Sequence, residues 1–293
     1  MGCNNSTEVV EYAEILDRCV CPGVIFHEEI TSVNGSNRNI VSWLPEFLPV
    51  KAIVLISHGL NEHSLRYFGI GIELAKLGFG VYSIDHVSHG KSDGKKGVIM
   101  DHCVLYSDFI SFSKMIGDQY PQLQFFLLAH SMGTLVALKS INSIPKLSAV
   151  VLSGSALFSG PAASSPFGIR CLYPLSQTSF AMCLTSVTSV IDPAGPVAPL
   201  LVTEITSDPA ERMLIRQDPR MCPAVVSNKS AYELSKLIAA VKDEVPNIKV
   251  PFLCVHGALD CITLPKSSEY VYTHSATDKA FKSVHIVANA RHE

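Results

Sequence analysis

The sequence predicts an α/β protein: a mostly parallel sheet with helices on both faces, interrupted by one apolar insertion. Three observations predict it. The runs "VKAIVLISHG", "FGVYSID", "LQFFLLAHS" and "LSAVVLSG" are apolar without alternation, as expected of strands buried on both faces. Stretches with helical spacing lie between them. After a break the same rhythm returns, with strand-like residues at 250–260 and 281–287.

Each element has a local reason. Residues 24–30 and 38–44 are strand-like and flank "TSVNGSN", whose Asn34-Gly35 pair marks a hairpin turn. The first buried strand ends at His58-Gly59. A helix over "YFGIGIELAKLG" closes at Gly78. The strand "FGVYSID", a helix over 101–117, the strand ending at His130, the helix "MGTLVALKSI" and the strand 147–154 come next. Between Lys146 and Glu204 the rhythm breaks, and of those 57 residues only Arg170 and Asp192 are charged. Helix resumes from about Glu211. The expected organisation is an N-terminal tail (1–15), a core (16–148 and 216–293) and a cap or lid insertion (149–215), together one structural domain.

Bulk properties exclude several function classes. At 293 residues, 47% hydrophobic, the chain is long enough for an ample core. The net charge of −3 is spread without blocks of one sign, which argues against a nucleic-acid partner. Nine cysteines at irregular spacings suit a reducing compartment and no zinc spacing. Asp85, His86 and His89 lie close together but lack further ligands at metal spacing, so loop hydrogen bonding is expected and no metal. No secretory signal is recognised, and no charge-free apolar run reaches the length of a membrane span.

The opening "MGCNNS" fits M-G-x-x-x-[ST], which makes Gly2 a candidate for myristoylation and Cys3 for a second, reversible acyl chain. Two such signals anchor stably where one does not. The expectation is a cytoplasmic protein attached peripherally to membrane through this tail and the cap. A short polar tail without function is the plainer alternative.

The chemistry gathers at strand ends, where open α/β sheets place their reactive groups. Ser131 follows "FFLLAH" and precedes a helix, the strand-turn-helix setting of a nucleophile elbow. Such a turn aims the Met132 N–H at a developing oxyanion. The His58-Gly59 loop offers the Leu60 N–H as a second donor. Asp260 ends "FLCVHGALD", and His292 lies just beyond "FKSVHIV". A serine hydroxyl needs a base to take its proton, and the base needs a carboxylate to fix its tautomer. The order Ser131, Asp260, His292 is that of α/β-hydrolases. Glu62 and Arg66, four residues apart, are expected to pair with each other, with positioning of a polar headgroup as their alternative role. His58, His63 and His130 read as structural, and Cys261 borders the site.

These motifs resemble the monoacylglycerol lipase group of the α/β-hydrolase superfamily across nearly all of the chain. "SHGLNEHSLRY" resembles the group's HGxxEHxxRY signature, "DHVSHGKSDG" its D-x-x-G-H-G-x-S-x-G segment with Ser88 in a glycine position, and "AHSMGT" its GHSMGG elbow. The resemblance implies an α/β-hydrolase fold with a membrane-facing cap. It implies Ser131 as nucleophile, Asp260 as acid, His292 as base, and the Leu60 and Met132 amides as oxyanion hole. Ala129 and Thr134 replace two elbow glycines. The chain also reads as truncated just after the base, without the group's terminal helix, so His292 is expected at a frayed end, with a fragment, a variant transcript and a divergent member of lowered activity as the open readings.

The expected function is a cofactor-free serine hydrolase that cleaves a single-chain lipid ester through an acyl-enzyme, releasing fatty acid and glycerol from a monoacylglycerol. A lysophospholipase or general carboxylesterase is the neighbouring alternative. A catalytically weak module that binds lipid or protein is the alternative of another class.

Overall fold

The computed structural model describes residues 21–160 and 179–293, with side chains from 185 onward in the second segment. Gly2, Cys3 and part of the insertion lie outside the described residues. Strand β1 (Val24–Val33) and β2 (Ser36–Pro45) pair antiparallel through a two-residue turn. Asn34 and Gly35 sit there at φ 51° and 81°, the paired positive values of the turn that matches strand twist.

The main sheet continues with β3 (Ala52–Ser57), β4 (Phe79–Ile84), β5 (Phe125–His130), β6 (Leu147–Ser153), β9 (Phe252–Gly257) and β10 (Lys282–Val287). Its eight strands lie in the order β1-β2-β4-β3-β5-β6-β9-β10. From β4 to β10 every neighbouring pair is parallel. The non-alternating runs are explained by burial on two faces. Along β3, Ile53 and Leu55 join one apolar cluster while Val54 and Ile56 join the other.

Helix α1 (Phe68–Lys76) covers one face against β2 and β4. It comes so close that a Cβ on Gly71 would meet the buried Trp43 indole at 2.5 Å. On the other face α2 (His102–Gln119), α3 (Met132–Ser140) and a later helix, Asn228–Glu244, pack on one another. Phe109, Phe112, Leu135, Leu237 and Val241 fill the core between them.

The insertion differs from 149–215 at both ends. Residues 149–153 belong to β6, which lies between β5 and β9 in the sheet. The insertion contains α4 (Ser179–Ile191), β7 (Pro196–Pro199), α5 (Val202–Ile205) and α6 (Pro209–Gln217). Its β7 pairs antiparallel with β8 (Val225–Ser227), so 216–227 go with it as well. Next come α7 (Asn228–Glu244) and α8 (Lys266–His274). The strand order reverses at β3 and β5, the switch point where open α/β sheets form their crevice.

Candidate active site

Ser131 lies between β5 and α3 at φ 51°, ψ −121°, outside the regions ordinary residues favour. Its surroundings hold it there. The Ser131 N–H donates to Ser153 O at 2.9 Å, and Ser131 O accepts from the Thr134 N–H (2.9 Å) and hydroxyl (2.6 Å). Thr134 also accepts from the Ala156 N–H at 3.1 Å, so it ties the elbow to the loop after β6. Gly133 is required by contact: a Cβ there would stand 2.1 Å from Ser57 O. Ala129 is fully buried in the core under the turn.

His292 is buried and held from several sides. Its Nδ1 donates to Asp260 Oδ2 at 2.7 Å, which leaves Nε2 as the lone-pair nitrogen of the neutral ring. Gly154, after β6, passes so near that a Cβ would meet the ring at 3.2 Å. Leu259 N–H donates to Ala290 O and Ala258 N–H to Val287 O, fastening the histidine loop to the end of β9. The expected fraying is absent. Glu293 N–H donates to Ile205 O at 2.9 Å, and its carboxylate takes both Arg66 Nη atoms at 2.8 and 3.1 Å. The Asp260 hydrogen bond overcomes burial and raises the His292 pKa above the usual imidazole value.

Asp260 is fully satisfied. Its Oδ1 accepts from the Ile262 and Thr263 N–H groups at 2.9 and 3.0 Å. Its Oδ2 accepts from His292 and the Thr263 hydroxyl (2.9 Å), and His256 Nε2 lies 3.1 Å from it. Burial pushes its pKa up, but His256, His292 and the Thr263 amide outweigh that and hold it far below the carboxylate range. Sequence reasoning misses His256 and Thr263. Only the spacing D-x-x-T, a short local loop in which Thr263 turns back to Asp260, signals the second.

The loop after β3 is equally fixed. The Gly59 N–H donates to Glu62 Oε1, which also accepts from the Tyr67 hydroxyl at 2.8 Å. His58 accepts the His86 N–H at Nε2 (2.9 Å), so its Nδ1 carries the proton given to Gly59 O at 2.8 Å. The Met132 N–H opens α3 and has no intrahelical acceptor. Both Leu60 and Met132 line the cavity with Ser131 and His292. No hydrogen bond joins Ser131 Oγ to His292 among the described residues; such bonds are often long until substrate closes the site.

Glu62 and Arg66 do pair, at 3.5 Å, but Arg66 is shared with Glu211 and Glu293. Burial disfavours the Glu62 charge, yet His130, Arg66, His58 and the Gly59 amide hold its pKa at about 2. The His130 ring lies tilted beside that of His292, ring centroids 4.7 Å apart, and burial with His292 lowers its pKa. Cys261 Sγ lies 2.9 Å from Glu204 Oε2. Asp85 accepts from Ser64 and Lys91 N–H groups and from Asn39, the loop bonding expected of it. The described residues include one His/Cys/Asp group of metal-ligating size, Asp101, His102 and Cys103. Asp101 there caps α2, and His102 Nδ1 bonds Glu233 at 2.7 Å.

The cavity on which Ser131 and His292 open has a volume of about 1340 Å³ and a mainly apolar wall that includes Leu135, Leu157, Val197, Leu200, Ile215 and Ile238. Much of that wall comes from the insertion and from α7.

The sheet order, the elbow after β5 and the acid and histidine after β9 and β10 define the class: a serine hydrolase with the α/β-hydrolase fold. Residues 49–293 match the family described as serine aminopeptidase, S33, and the chain belongs to that family. It is 30% identical over 218 residues to a monoglyceride lipase of Homo sapiens, covering 74% of this chain and 68% of that protein. A monoglyceride lipase homolog of Monkeypox virus is 28% identical over 250 residues, covering 85% and 84%. Among solved structures, the monoacylglycerol lipase of Paleococcus ferrophilus superimposes with a TM-score of 0.69 at 24% identity, covering 92% of this chain and 91% of that one. A soluble variant of the Saccharomyces cerevisiae monoglyceride lipase, in complex with a substrate analog, gives 0.75 at 21%, covering 92% and 87%. At these identities the structures speak for the fold.

Proposed function

We propose that this enzyme hydrolyses the ester of a single-chain lipid, a monoacylglycerol, to fatty acid and glycerol. One observation carries the reading: the strained Ser131 and the Asp260-bound His292 share the wall of a large, mainly apolar cavity. That cavity exceeds the roughly 300–1,000 Å³ of ordinary ligand pockets, which suits an extended acyl chain. In this reading His292 Nε2 takes the Ser131 proton as Oγ attacks the ester carbonyl. The Leu60 and Met132 N–H groups receive the oxyanion. His292 then protonates the departing glycerol oxygen, and water repeats the sequence on the acyl-enzyme. No step calls for a cofactor. We assign Glu62 and Arg66 to holding the oxyanion loop rather than to the headgroup, since Glu62 is already bonded to Gly59 and Tyr67.

The relatives named as monoglyceride lipases support the choice of alcohol. We further propose that the enzyme works at a membrane surface. No described helix is long and apolar enough to cross a membrane, but α4 exposes Val187, Val190 and Ile191 at 50%, 79% and 78% on one helix face. Acylation at Gly2 and Cys3 would add a second anchor.

The test is labelling with a fluorophosphonate alongside hydrolysis of a long-chain monoacylglycerol and a short soluble ester. Ser131→Ala should lose labelling and about 10⁴-fold or more of the rate. Equal labelling of wild type and variant would overturn the nucleophile, and a strong preference for the short ester would overturn the lipid substrate.

A further inference from the structure

His256 is buried at the end of β9, with 1% of its surface exposed, and does not line the cavity. Its Nε2 faces two acceptors, Thr263 O at 3.0 Å and Asp260 Oδ2 at 3.1 Å, so this nitrogen carries a proton. Its Nδ1 meets the Ser268 hydroxyl at 2.8 Å, which fixes the ring plane from the opposite side. A histidine that only filled space would need neither bond to the catalytic loop. Here His292 Nδ1 and the Thr263 hydroxyl donate to a single oxygen, Asp260 Oδ2, and the proton-bearing His256 Nε2 stands 3.1 Å from it.

The consequence is electrostatic. Each donor spreads part of the carboxylate charge and restricts its rotation. With fewer donors, Asp260 would pull harder on the proton of His292 and would be freer to turn away from it. The base would then be neutral over a narrower pH range and less well aimed.

We infer that His256 is a positioning residue of this hydrolase: a second imidazole on the far side of Asp260 that fixes the carboxylate and limits its hold on the His292 proton. The inference rests on the triad reading above. It assigns to "VHG" in β9 a role in the reaction rather than in the sheet alone. Because His256 does not reach the cavity, its effect belongs in kcat and not in KM.

The experiment compares three variants with wild type in a pH profile of kcat/KM on one soluble ester. His256→Asn is too short to reach Asp260 but retains a polar side chain. His256→Leu removes the polar contacts of the ring, and His256→Gln can place a donor near Oδ2. The Asn and Leu variants should lose about tenfold or more in kcat with KM unchanged, on the scale of groups that orient a reactive imidazole. Their acid limb should move upward by about half a pH unit to one unit, and Gln should recover most of the rate and the wild-type midpoint. If the Leu variant fails to fold, His256→Asn carries the same readout. An unmoved acid limb in a folded His256→Asn variant, or a change confined to KM, overturns the inference. Asp260→Asn separates the two levels. Wild-type activity in Asp260→Asn would remove the triad itself. A large loss there, together with an unmoved pH profile for His256→Asn, removes only the role of His256.

Discussion

Ser131 stands at a conformation that an L-residue reaches only under constraint, at a cost of about 1–3 kcal/mol. The constraint is visible in the bonds from Ser153 and Thr134. Glycine tolerates this region without a Cβ penalty. Ser131→Gly should therefore be inactive yet no less stable, with a melting temperature higher by about 2–4 °C per kcal/mol relieved. A clear fall in melting temperature on calorimetry would mean that the turn is not strained. His292, the proposed base, gives a second prediction at the same scale. Asp260 raises the His292 pKa, and the reaction needs the neutral ring. The acid limb of kcat/KM should thus lie above the ordinary imidazole value of about 6.5. Asp260→Asn should shift what activity remains toward lower pH, and a limb that stays in place would separate Asp260 from the base.

At the level of elements, the strands are legible in the sequence because each buried run has a distinct physical cause. The strands β3 to β6 fall within a residue or two of the apolar runs that predict them, and Asn34-Gly35 adopts the turn its composition demands. The boundary of the insertion is not legible. A central strand flanked by neighbours and an apolar cap are both poor in charge, so composition does not separate residues 149–153 of β6 from the cap beyond them. The strand β8 is hidden because it is three residues long and, among the described residues, pairs with β7 alone. Within the site, Ser131, Asp260 and His292 can be read from chain order and strand context. The partners His256, Thr263 and Glu293 depend on how loops after different strands meet. Helix α4 supplies the prediction for this scale. Val190→Ser combined with Ile191→Ser should lower hydrolysis of a vesicle-borne monoacylglycerol by about tenfold or more, given roughly 1.5–3 kcal/mol for burying each aliphatic side chain. Hydrolysis of a short soluble ester should not change. An equal fall on both substrates would mean that α4 shapes the cavity and does not dock.

Across the whole molecule, the loops that support the site store an acid sensitivity. His86 and His89 pack tilted against His58 in the loop after β3, with ring centroids 4.4 and 5.4 Å from it. Burial and the neighbouring imidazoles lower all three, His89 to about 3, and His130 is lowered by burial and His292. Such groups stay neutral in the folded chain when their unfolded counterparts begin to bind protons near pH 6.5. The unfolded state then binds more protons, so stability falls as pH falls. His292 has the opposite sign: its raised pKa contributes stability that is fully present below about pH 6.5 and is lost as pH rises through the folded value. Below 6.5 the His292 contribution no longer varies, and the four lowered histidines leave a loss of at most about 5 kcal/mol per pH unit. A second step sets in below about pH 4.5. Glu62 and Glu233, both near 2, and the lowered Asp85, Asp218 and Asp260 contribute stability that is present above their unfolded values and is lost as pH falls through the folded ones. The melting temperature should therefore decline from about pH 7 to pH 5 and more steeply below about 4.5. Calorimetry across that range checks it: a flat melting temperature over the first interval would mean that the buried imidazoles are protonated in the folded protein, and the oxyanion loop would then rest on a different set of hydrogen bonds.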